Sequence, residues 1–195
     1  MARGHISAIR SGDMVGFGGC ACSDWAIQLC TLGWPGWSLS HVAIAVEWPG
    51  HRWPVLVEAT TGWREPCIVR GAILDGVLAT RLRTRIVGYP GRVWHYPLGK
   101  PLSWIERAQL YGFCRERLGT SYDGLGALMA RDTLWAATHR NPEDLHSYFC
   151  SEFVAAAHRE CGRLPAQTNA SAFSPNRLAR MEVRSGVVHK PRRLK

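Results

Sequence analysis

No stretch of this chain approaches the roughly 18 consecutive apolar residues of a membrane-spanning helix, so no transmembrane segment is expected. The opening Met1-Ala2-Arg3-Gly4-His5-Ile6 lacks the apolar core of a secretory leader, and the expectation is synthesis in the cytoplasm. Internal repeats and low-complexity segments are missing too. With 46% hydrophobic and 20% charged residues, the composition excludes a disordered or collagen-like chain. Acidic residues are scarce, 15 Asp+Glu against 24 Lys+Arg, for a net charge of +9. At 195 residues the chain is long enough to bury a core without staples. It reads as one domain, 1–195, with 181–195 as a basic C-terminal tail.

An even cysteine count is also lacking. Seven cysteines (20, 22, 30, 67, 114, 150 and 161) without a leader point to reduced thiols rather than a disulfide framework. There is no CxxC pair. Cys20-Ala21-Cys22 with Cys30 and His41 is the one grouping that suggests zinc, and it has neither the spacing nor a second knuckle. No metal or other cofactor is expected. The positive charge clusters at Arg81, Arg83 and Arg85 and again over His189–Lys195. Such runs attract polyanions, but no nucleic-acid motif accompanies them, and they read as solvated faces.

What is there predicts a small sheet with segregated helices, an α+β class. Ser11-Gly12-Asp13 is a turn feeding a strand over Met14–Phe17. Ser23 and Asp24 cap a helix through Trp25 to Leu32. Val42–Val46 and Val55–Ala59 are strands joined through the turn-rich Trp48–Pro54, which makes an antiparallel hairpin. Cys67–Arg70 and Arg92–Tyr96 read as further strands, and Ala72–Arg85 is ambiguous, with helix favoured in its second half. Ser103 and Glu106 form a capping box for a helix to about Leu118. Another helix spans Tyr148 to Cys161, and Ser174-Pro175 starts a short last one through Leu178.

Cys150 lies at or near a helix start, where backbone N–H groups and the helix dipole favour a thiolate. A thiolate nucleophile needs a base, usually histidine, held by a third polar group. His41 opens an apolar strand, and Glu58 sits inside the next one, where a carboxylate demands a partner. If Ala43 faces Glu58 across the hairpin, His41 and Glu58 are diagonal neighbours on one face, roughly 7–8 Å apart at the backbone. A one-residue slip would send Glu58 to the opposite face. Glu47 reads as a solvated rim residue. Of the other histidines, His95 is the one rival on an expected strand.

Six segments in order also carry a family resemblance. They are Gly12-Asp13, Trp37-Ser38-Leu39-Ser40-His41, Leu56-Val57-Glu58-Ala59, Leu118-Gly119-Thr120-Ser121-Tyr122-Asp123, Tyr148-Phe149-Cys150-Ser151-Glu152 and Phe173-Ser174-Pro175. Together they resemble the circularly permuted NlpC-type papain-like cysteine hydrolases, the YiiX-like branch, over nearly the whole chain. The resemblance implies a papain-like core with a small antiparallel sheet against helices. It implies Cys150 as nucleophile, His41 as base and Glu58 as the residue that orients it, with Tyr122 and Ser40 lining the substrate site. In ordinary NlpC-type enzymes the cysteine helix precedes the histidine strand; here His41 comes first, which a spatial triad permits.

The reaction so implied is acyl transfer through a thioester, most plainly amide cleavage in bacterial cell wall peptide. A phage tail or a secretion assembly would be the protein partner and the route to the wall. A lipid amidase or acyltransferase on the same triad, and an inactive docking module, are the alternatives. Two departures from the family pattern, the Trp-bearing loop Ala21–Leu39 and the insertion Met129–His146, read as lid or docking segments.

Overall fold

The computed structural model describes residues 6–19, 39–124 and 147–195. The helix expected after Ser23, the cysteines at 20, 22 and 30, and nearly all of both departing segments lie outside these residues. Strands β1 (Met14–Gly18), β2 (His41–Val46), β3 (Val55–Thr60), β4 (Gly76–Arg81), β5 (Arg92–Tyr96) and β8 (Arg192–Arg193) make one antiparallel sheet in the order β4-β3-β2-β1-β5-β8. A two-residue parallel pair, β6 (Ser121–Tyr122) and β7 (Ser147–Tyr148), stands beside it. Among the described residues the α-helices are α1 (Leu82–Gly88), α2 (Trp104–Arg117), α3 (Cys150–Glu160) and α4 (Pro175–Ser185). The expected α+β class is what the chain adopts. No helix among the described residues is long and apolar enough to cross a membrane.

The strands are apolar on both faces because both are covered. Met14, Val42, Ile44 and Val57 point to one side and pack with Leu110 of α2 and Phe153 and Val154 of α3. Val15, Phe17, Ala43 and Leu56 point to the other, against Leu82 and Ile86 of α1. Two buried carboxylate–histidine pairs brace this frame. Asp13 Oδ2 lies 2.6 Å from His95 Nε2, so the rival histidine is committed to the core. His158 Nδ1 lies 2.6 Å from Glu182 Oε1, and its Nε2 donates to the Gly12 carbonyl at 2.9 Å. Burial alone would lower the His158 pKa, but the Glu182 carboxylate outweighs it and raises it.

Several sequence expectations need correction. Cys67–Arg70 is a turn, closed by Gly71 N–H on the Cys67 carbonyl at 2.8 Å, with Gly71 at φ +68°. The favoured helix in 72–85 begins only at Leu82; the residues before it, Gly76–Arg81, are strand β4 paired along all of β3. The last helix continues past Leu178 to Ser185. The basic C-terminal residues 181–195 finish α4, bridge Val188 to Leu98 and add β8 to the sheet, with Leu194 buried. The Ser103 capping box is present as read, with Ser103 N–H on Glu106 at 2.6 Å and Glu106 N–H on Ser103 Oγ at 3.3 Å.

Gly76 is demanded by close approach. Gly76 has φ +136°, and a Cβ there would sit 2.0 Å from the Thr120 carbonyl oxygen, which also accepts from Val77 N–H. Gly76→Ala should cost at least about 1–3 kcal/mol from the backbone strain alone. A urea melt showing no change in midpoint would contradict that packing.

Candidate active site

His41 is the first residue of β2, opposite Phe17 of β1, and its ring lies 5.6 Å from the Phe17 ring. The β2–β3 ladder pairs Ile44 with Val57, Ala45 with Leu56 and Val46 with Val55. The same register continued sets Ala43 across from Glu58, which is the arrangement that brings His41 and Glu58 to one face. His41 Nε2 is 2.5 Å from Glu58 Oε2. With Nε2 so engaged, Nδ1 is the nitrogen left to meet a thiol.

That thiol is Cys150. It opens α3 and is buried, close enough to the His41 ring and to the backbone N–H groups of Val42 and Ser151 for all three to act on its charge. Burial pushes the Cys150 pKa up, but the His41 charge and these donors outweigh it and bring it down. Burial likewise opposes a charged His41, yet the Cys150 thiolate, and after it Glu58, raise its pKa to about 9. Each partner's charge thus favours the charged form of the other.

Helix α3 is held at its start. Ser151 Oγ donates to the Phe173 carbonyl at 2.7 Å, and Glu152 Oε2 accepts from Phe149 N–H at 3.5 Å. The segment entering β2 is clamped by α4, where Asn176 Oδ1 accepts from Leu39 N–H at 2.7 Å and its Nδ2 donates back to the Leu39 carbonyl at 3.1 Å.

The residue that sequence reasoning missed is Arg85. Its Nε donates to Glu58 Oε1 at 2.7 Å and its Nη2 to Glu58 Oε2 at 2.9 Å, a two-pronged grip on a fully buried carboxylate. The guanidinium lies 4.4 Å from the Trp63 ring centre and 4.8 Å from that of Phe17. Burial would raise the Glu58 pKa, but Arg85 first and His41 second hold it down to about 2. The solvated-face reading of Arg81, Arg83 and Arg85 thus holds for the first two, which are exposed, and fails for the third. The available signal was spacing: Leu82, Arg85 and Ile86 share one helical face, and a carboxylate inside an apolar strand required a cation.

Tyr122 pairs with Tyr148, two residues ahead of Cys150, and the strand pair carries it to the thiol. Burial raises its pKa, with the Cys150 and Asp123 charges adding to that. Ser40 is nearly buried, its hydroxyl 3.4 Å from both the Phe17 carbonyl and the Tyr89 hydroxyl, so it supports the strand entry. Glu47 is at the surface, 3.6 Å from Arg107.

No protein-family model and no curated protein matches this sequence. Among solved structures, the metalloprotein YiiX from Escherichia coli O157:H7 superposes with a TM-score of 0.55 at 16% identity, covering 94% of this chain and 87% of that one. The two share a fold. The YiiX structure is described as a metalloprotein, but the described residues here include no group of three or more His, Cys, Asp or Glu side chains placed to hold a metal ion. Both Glu58 oxygens are already taken by Arg85 and His41. These residues do not fit a metal centre.

Proposed function

We propose that the protein is a cysteine hydrolase of the permuted NlpC type that cleaves an amide in bacterial cell wall peptide. The observation that carries this reading is the hydrogen-bonded chain from His41 to Glu58 to Arg85, with the buried Cys150 thiol beside His41 at a helix start. Base, orienter and anchor are joined by hydrogen bonds, with the nucleophile beside the base.

In this mechanism the Cys150 thiolate attacks the carbonyl carbon. The resulting oxyanion is stabilised by backbone N–H groups at the start of α3. The His41 imidazolium gives its proton to the departing amine as the C–N bond breaks, leaving a thioester. Neutral His41 then takes a proton from water, whose oxygen attacks the thioester carbon, and collapse releases the acid and restores the ion pair. Glu58, fixed by Arg85, keeps the ring turned toward sulfur and offsets its charge. Delivery to the wall would come from a phage particle or a secretion machine.

The test is incubation with purified wall stem peptides, reading new amines and the mass of the fragments. Cleavage by the wild type and its loss in Cys150→Ala is the expected result, a fall of at least about a thousandfold. Release of fatty acid from N-acyl lipids, with wall peptides untouched, would move the substrate to lipid on the same triad. Turnover that survives Cys150→Ala would end the proposal.

A further inference from the structure

A groove of about 470 Å³ lies between the β2–β3 connection and α1. It occupies the end of the sheet where Val55 pairs with Arg81, whereas His41 and Glu58 sit toward the other end of β2 and β3. Its floor and walls are aliphatic: Ile6, Pro54, Val55, Leu82 and Val87. Trp53 forms one lip and is 53% exposed, and Val87 is 57% exposed. Arg52, Arg81, Arg83 and His51 complete the lining, and none of the lining residues is acidic. Among the described residues no carboxylate pairs with Arg52, Arg81 or Arg83; Arg52 packs 5.5 Å from the Trp53 ring centre.

Two demands have to be met by one ligand. Unpaired arginines beside a cleft ask for an anion, and aliphatic walls with a half-exposed tryptophan ask for a hydrocarbon chain. Apart from the arginine rim, the polar groups in the lining are the His51 ring, the Trp53 indole N–H and the hydroxyls of Ser7 and Thr84, with no carboxylate or carboxamide side chain to read a base or a sugar. Tryptophan at the lip suits the boundary between headgroup and chain. We propose that this groove docks the protein on an anionic phospholipid membrane, seating part of an acyl chain against Val55, Leu82 and Val87 with the phosphate on the Arg52–Arg81–Arg83 rim. The overall charge of +9 supplies attraction to such a surface. This docking is independent of the chemistry at Cys150.

The experiment is co-sedimentation of the full chain with phosphatidylcholine vesicles, with and without phosphatidylglycerol. Binding should require phosphatidylglycerol, fall with added salt, persist in Cys150→Ala, and weaken at least about tenfold in Arg81→Glu/Arg83→Glu. Val87→Asp, on an exposed wall, should weaken it as well and guards against a folding defect in the double variant. Brominated acyl chains should quench wild-type tryptophan fluorescence more than that of Trp53→Phe. Equal binding to both vesicle types, or full binding by the double and Val87→Asp variants, overturns the proposal. So does binding of polyglutamate or of soluble dodecyl phosphate with no vesicle binding, which would assign the groove to an acidic protein or a free amphiphile.

Discussion

Arg85→Met should destabilise the protein by about 3–5 kcal/mol, because it removes one partner of a buried ion pair and leaves the other charged. Glu58 is fully buried and takes two hydrogen bonds from Arg85, so no solvent replaces them. For a domain of this size that loss lowers the melting temperature by roughly 6–20 °C. The pairing makes a second forecast sharper. Arg85→Met/Glu58→Gln should recover much of the loss, since a neutral amide no longer strands a charge. Thermal melts of both variants check this; a single variant as stable as wild type would mean that Glu58 is not anchored by Arg85.

The second large effect is on acid stability. Glu58 is held at about 2 in the folded protein against 4.5 without perturbation. A depressed carboxylate contributes stability that is fully present above 4.5 and is lost as pH falls through about 2. The difference is worth about 3 kcal/mol. His41 works in the opposite direction: its pKa is raised from 6.5 to about 9, so its contribution is complete below 6.5 and fades as pH rises through about 9. Urea unfolding of the wild type should therefore lose about 3 kcal/mol more than Arg85→Met/Glu58→Gln between pH 4.5 and 2. Parallel acid limbs in the two proteins would place the depressed carboxylate elsewhere.

Much of this arrangement was legible in the sequence because local rules and tertiary demands agreed there. Alternation of turn residues and β-branched runs marked β1 and the β2–β3 hairpin, and Ser103/Glu106 and Ser174-Pro175 marked helix starts through their own hydrogen bonds. His41, Glu58 and Cys150 stood out because a polar or reactive group in an apolar setting needs a reason. The failures have local physical sources. At Arg81–Leu82 a strand passes directly into a helix with no turn residue between them, so nothing local separates β4 from α1. Without that boundary the face of Leu82, Arg85 and Ile86 is marked by spacing alone, and Arg85 merges into a surface charge run. Cys67–Arg70 erred because an apolar pair, Ile68-Val69, sits in a turn whose cause is the φ of Gly71. The hairpin register was open in the sequence, and the β2–β3 ladder sets it with Ile44 across from Val57.

The central claim is an activated thiolate at Cys150, and the direct measurement is peptide-mapped alkylation by limiting iodoacetamide from about pH 5 to 8 in wild type and His41→Ala. Burial raises the pKa of Cys161 to about 12 and pushes Cys114 up as well, so these two are internal controls that should stay silent. The account predicts that Cys150 labels first at the acid end, and that His41→Ala slows it roughly tenfold, the thiolate fraction gained by a low pKa being partly offset by weaker nucleophilicity. Labelling of Cys150 no faster than the buried cysteines in folded protein, or a rate indifferent to His41, would contradict it.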